Sequence, residues 1–149
     1  MIKMYKHTQS SYLMVIVLDI AVLYIVCIMV VSGFNFILLT VIIFLGFCSA
    51  SFSALITIVD ENFLSIIFGF GLIRKKFLLE DIESVKVVKN PWYYGWGIRL
   101  IPDGWLFNVS GFLAVEIRMK TGKKYRVGTD DPDNLAKSIQ ESLMGKSEN

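Results

Sequence analysis

Charge is nearly missing from the start of the chain: before Asp60 the only ionised side chains are Lys3, Lys6 and Asp19, so twelve of the thirteen acids, Asp60 included, and thirteen of the fifteen bases lie from Asp60 onward. A chain divided this way is built for two solvents. Histidine is almost as scarce, and the single one, His7, lies in the N-terminal segment. No nucleophile and base can be paired, so no catalytic residue and no enzymatic activity are expected. Cysteine is limited to Cys27 and Cys48, both inside apolar segments. In a hairpin turning near Gly33 they would lie ~9 Å and ~22 Å from the turn, at about 1.5 Å per residue. That difference exceeds the roughly 7 Å reach of a disulfide, so two free, buried thiols are expected. Clustered positive charge is absent too, with a net charge of +2 split evenly about Asp60. Nucleic acid is therefore not an expected partner. The acids Asp130, Asp131 and Asp133 are interrupted by Pro132, and no Gly-x5-Glu completes a calcium loop. No metal or cofactor is expected.

What is there instead is a pair of long apolar runs. Tyr12 to Val31 carries one charge and Phe34 to Phe52 carries none, each close to the ~20 residues that cross a hydrocarbon core. Ser32-Gly33 and Asn35 break them so briefly that a tight antiparallel hairpin is implied. The first run is too long for a cleaved signal's apolar region and is followed at once by the second. Lys3 and Lys6 precede the hairpin, Arg74, Lys75 and Lys76 follow it, and the turn has no basic residue. The expected location is a bacterial cytoplasmic membrane, multi-pass, with both termini cytoplasmic. Asp19 falls level with Phe47 to Ser49, where an intramembrane acid needs a partner. A structural bond to Ser49 or to a neighbouring chain is expected, assisted by the Gly46-x-x-x-Ala50 pair.

From Ala54 onward, short alternating runs are separated by turn residues, which is the pattern of an antiparallel sandwich or barrel. Strands are expected in ALITIVD, FLSIIFG, FGLIRKKFLL and Glu83 to Lys89. Gly97 to Ile101 and Trp105 to Val109 flank a Pro102-Asp103-Gly104 turn, and Ala114 to Lys120 and KKYRVG complete the set. Asp131 is the expected N-cap and Pro132 the first residue of a closing helix, about 131–144, whose apolar stripe is Leu135, Ile139 and Leu143. The expected organisation is an N-terminal tail and two-helix transmembrane hairpin over 1–53, with spans at about 12–32 and 34–53. A mostly β domain with one C-terminal helix follows over 54–144, and then a tail over 145–149.

The strings Gly95-Trp96-Gly97-Ile98-Arg99, Gly104 to Gly111 (GWLFNVSG) and Gly128-Thr129-Asp130-Asp131-Pro132 resemble the bacterial pleckstrin-homology-like domain proteins that carry transmembrane hairpins. The resemblance covers roughly Ile56 to Leu143. It implies a partly open seven-stranded barrel or sandwich without enzymatic activity, and a basic pocket represented here by Arg74, Lys75 and Lys76.

Two features are candidates for function. The aromatic cluster Trp92, Tyr93, Tyr94 and Trp96, with Trp105 and Phe107 beyond it, follows Asn90-Pro91. It would serve as an interfacial anchor, as a ridge for a protein partner, or as packing under the closing helix. Asp19 with Ser49 would serve assembly or, in an oligomer, line a transport pathway. Asn108-Val109-Ser110 is a glycosylation pattern whose expected use is a side-chain bond closing the turn at Gly111. The expected function is a membrane-anchored interaction or scaffolding module with the lipid bilayer and a protein partner or second copy as partners. The alternative is a small oligomeric transport or channel subunit.

Overall fold

A computed structural model describes residues 4–147. The first element was not expected. Tyr5–Ser10 is a strand, β1, where the sequence suggested a tail. Its inward positions are Tyr5, His7 and Gln9, so the alternation is polar and gives no hydrophobic signal. Each of the three is instead held by a distant partner: Tyr5 Oη donates to Asp131 Oδ2 at 3.3 Å, His7 Nε2 meets Asp130 Oδ1 at 2.5 Å, and Gln9 Nε2 donates to Ser110 O at 3.0 Å. Lys3 lies outside the described residues.

Two apolar helices are inserted after this strand, α1 over Tyr12–Ser32 and α2 over Phe36–Ser51. Gly33, at φ 93°, turns the chain between them. Asn35 caps α2, its Oδ1 accepting from Ile37 N at 2.8 Å. The cap explains why the second helix is shorter than the apolar run 34–53: Asn35 supplies an oxygen to the orphan N–H groups, and the helix cannot extend back through it. Among the described residues one helix, α1, is long and apolar enough to cross a membrane. At the other end of α2, Ser49 Oγ donates to Asp19 Oδ1 at 3.0 Å, which places the two residues at equal depth. Both cysteines are free, and Cys27 lies on the exposed helix surface and not in a protein interior.

The remaining strands are β2 (Ala54–Val59), β3 (Phe63–Phe68), β4 (Ile73–Leu78), β5 (Ile82–Lys89), β6 (Gly97–Ile101), β7 (Gly104–Asn108), β8 (Leu113–Met119) and β9 (Lys124–Gly128). Among the described residues they form two sheets and no closed barrel: β1-β2-β3-β4, and β5-β8-β9-β7-β6 with β7 and β9 parallel. The seven strands implied by the resemblance become nine. Leu55, Leu64, Ile66, Phe68 and Phe77 of the first sheet meet Phe107, Val115, Ile117 and Val127 of the second. The last helix, α3 over Pro132–Ser147, runs past the expected end at 144. It packs on β5 and β8 through Leu135 and Ile139. Asp131 stands at its cap position: its carbonyl accepts from Leu135 N at 3.2 Å, and its Oδ1 accepts from the Asn134 side chain at 2.9 Å.

Candidate functional site

β1 and β2 run straight into α1 and α2, so one end of the first sheet is the end from which both helices leave. Ser11 N donates to Ser53 O at 2.9 Å and ties the two helix feet together. The pairing register tells which loops share that end. Ser10 faces Ala54, Leu55 faces Phe68, and Phe68 faces Ile73, so the β3–β4 turn over residues 69–72 lies there. Gly69 has φ 48°, and a Cβ on it would fall against the Ala50 and Ser51 carbonyls. Only glycine lets this turn press on the end of α2. Phe70 and Leu72 project from the turn, both exposed.

The second sheet adds two loops. Ser11 Oγ donates to Val109 O at 2.6 Å, and Gln9 donates to Ser110 O, so the β7–β8 loop is bonded to the helix feet. Asn108 closes that loop as its sequence suggested, with Nδ2 donating to Gly111 O at 3.1 Å and Oδ1 accepting from Ser110 N at 3.2 Å. The β5–β6 loop is held beside it, because Asn90 N donates to Phe112 O at 2.6 Å and Trp96 Nε1 to Gly111 O at 3.3 Å. This second loop carries the aromatic cluster.

Trp92 is 80% exposed and Tyr93 65% exposed. They do not fill the core under α3. Their rings meet edge-on at 6.0 Å, and Tyr93 meets Tyr94 at 5.2 Å. Tyr94 and Trp96 are half-buried, with Tyr94 under the Arg126 guanidinium at 5.7 Å. Trp105 does not belong to this group. It faces Leu100 and Tyr125, three positions down β7 from Asn108, or about 10 Å at 3.3 Å per residue. There it lines a separate hollow of about 230 Å³ with Lys75, Ile98, Phe107 and Tyr125.

The basic residues of β4 do not converge. Arg74 Nε donates to Gly71 O at 2.7 Å, Lys75 lies 5.7 Å from the Phe77 ring centre, and Lys76 lies 5.8 Å from that of Phe63. Alternation along the strand sends Lys75 to the opposite face from its neighbours. The buried acid Glu116 instead takes two basic partners: Arg126 Nε donates to its Oε2 at 2.9 Å, and Lys86 Nζ is 3.4 Å from its Oε1. Burial pushes the Glu116 carboxyl up, but the Arg126 bond and charge, with Lys86, outweigh it and hold the group below its ordinary range. Arg126 Nη1 also donates to Asn90 Oδ1 at 3.2 Å, at the start of the aromatic loop. At Tyr5, burial and the neighbouring Asp131 raise the phenol above its usual value.

The helix-bearing end thus presents Phe70, Leu72, Trp92, Tyr93 and Phe112 together. Sequence reasoning found the rings of the β5–β6 loop and missed Phe70, Leu72, Asn90 and Phe112. The available signal for the first two was Gly69-Phe70-Gly71-Leu72, a turn in which bulky apolar residues alternate with glycines. A soluble turn would carry polar residues there. No family model matches the chain, and no curated protein matches it.

Proposed function

We propose that this chain is a membrane-anchored, non-catalytic binding module. In this reading α1 and α2 both cross a bacterial cytoplasmic membrane and the two-sheet domain lies against its inner surface. The observation that carries the reading is the exposed apolar and aromatic rim at the one end of the domain from which the helices leave. Trp and Tyr favour the headgroup level of a bilayer. Burying most of the Trp92 ring there is worth on the order of 2–3 kcal/mol at about 25 cal/mol per Å².

Crossing by both helices follows if α1 crosses. The bond between Ser11 and Ser53 keeps the two feet on one side, so α2 must return the chain. The sheet pairing of β1 with β2 likewise keeps the N-terminal strand and the domain together. The absence of basic residues in the turn, against Lys6, Arg74, Lys75 and Lys76 on the domain side, supports a cytoplasmic domain. The hydrogen bond from Ser49 to Asp19 favours a structural use of the acid over a transport pathway. Two sheets with a C-terminal helix are consistent with the pleckstrin-homology-like resemblance.

Labelling tests this arrangement. With Cys27 and Cys48 replaced by serine, a Phe34→Cys protein, changed at an exposed position of the turn between the helices, expressed in bacterial cells should react with a membrane-impermeant maleimide in intact cells. A Lys123→Cys protein should react only after permeabilisation. The reverse pattern, or equal labelling of both positions in intact cells, would overturn it.

A further inference from the structure

Between the β5–β6 and β7–β8 loops lies an open cleft of about 450 Å³ lined by Lys89, Asn90, Pro91, Trp92 and Phe112. Its floor contains an anomaly. Asn90 is only 4% exposed, and among the described residues its Nδ2 has no hydrogen-bond partner. The orientation of the amide is not arbitrary. Arg126 is a donor at every nitrogen, so the Asn90 atom it meets at 3.2 Å must be the oxygen. The NH2 group is therefore turned away from the guanidinium as a fixed pair of donors. The Arg126 position is fixed in turn by Glu116 at 2.9 Å. Stranding such a donor costs about 1–3 kcal/mol, so the fixed NH2 group calls for an acceptor.

We propose that this cleft is a binding site for a phosphate oxyanion, and that the phosphate belongs to an anionic glycerophospholipid of the bilayer against which the domain lies. The Asn90 amide donates to a phosphate oxygen, and the exposed Lys89 ammonium neutralises it. The hydrogen bonds are then charge-assisted and stronger than neutral ones. Asn90 is covered in this structure, and binding in this proposal requires the exposed Trp92 and Lys89 side chains to move aside. The apolar walls, Pro91, Trp92 and Phe112, suit the glycerol and upper acyl carbons of a lipid better than a free anion. The cleft opens on the same end as Phe70 and Leu72. The lipid source rests on the membrane-side placement proposed above, whereas the oxyanion site rests on Asn90, Arg126 and Lys89 alone.

The test uses the full chain, purified in a mild detergent with added phosphatidylglycerol or phosphatidylcholine, with retained lipid measured by native mass spectrometry. Asn90→Asp is the informative variant. It keeps the oxygen that accepts from Arg126 and replaces the free donor by a second carboxylate oxygen, so the fold is retained and anion binding opposed. The parent should retain phosphatidylglycerol over phosphatidylcholine. Asn90→Asp should lower that retention about tenfold, the loss of one charge-assisted hydrogen bond, and Lys89→Gln should lower it by less. Unchanged retention in both variants would overturn the site. Lipid quenching of Trp92 in the same samples separates the two failures: quenching that persists leaves the membrane-side placement standing, and quenching that is absent removes it. In a second arm, inorganic phosphate replaces lipid. Thermal stabilisation by phosphate that disappears in Asn90→Asp, without any lipid preference in the parent, would keep the oxyanion site and overturn its lipid source.

Discussion

Glu116 accepts from Arg126, faces Lys86, and through Arg126 orients Asn90. Removing one member of a buried pair leaves the other charge uncompensated, at about 3 kcal/mol. Glu116→Gln should therefore destabilise the full-length protein by about that amount at pH 7 in denaturant unfolding. The pH dependence has a definite sign. The carboxyl is held below its ordinary range in the folded state, so its contribution is complete above the unfolded value of about 4.3. It is lost as pH falls through the folded value. The parent should lose stability below about pH 4.3 more steeply than Glu116→Gln, and the two curves should converge in acid. Parallel curves would mean that the pair contributes nothing specific. Little of this network was legible beforehand, because Glu116 and Arg118 look alike in an alternating strand. Only the folded register puts Glu116 opposite Arg126 while Arg118 meets the exposed Glu83 at 3.0 Å.

The strands from β2 to β9 were readable from alternation, from Glu61-Asn62 and from Pro102-Asp103-Gly104, since period-two patterning and turn chemistry are local properties. The ends of α1 were readable because its apolar run is long, carries one charge and stops at Ser32-Gly33. β1 was not readable, because Tyr5, His7 and Gln9 face inward toward partners 126, 123 and 101 residues away. Its existence gives a direct check. In hydrogen exchange on the intact protein, the amides of Tyr5–Ser10 that point toward β2 should be protected on the same scale as those of β2. Exchange of the whole segment at the rate of an unstructured tail would contradict the pairing. The aromatic loop shows the same division between local and distant information. Its composition was plain from the sequence, but its position beside the helix feet comes from bonds to Gly111 and Phe112. Trp105 was grouped with it by proximity in sequence, and the strand carries it away.

At the scale of the whole molecule, the hairpin is an insertion between two paired strands rather than a leader in front of a domain. Strand pairing, the Ser11–Ser53 bond and the contact of Gly69 with the end of α2 fix the direction in which the domain faces. That direction turns Phe70, Leu72, Trp92, Tyr93 and Phe112 toward the level at which the helices begin. Trp105 sits on the same sheet about 10 Å farther along β7 and serves as an internal reference. The central claim, that this rim lies in the bilayer surface, is tested most directly by tryptophan fluorescence of single-tryptophan proteins, the other two tryptophans being replaced by phenylalanine. Each is reconstituted into vesicles with quencher-bearing lipids. Strong quenching of the Trp92-only protein by quenchers near the headgroup, with little quenching of the Trp105-only protein, is the predicted result. Equal quenching of the two, or none at Trp92, would contradict it.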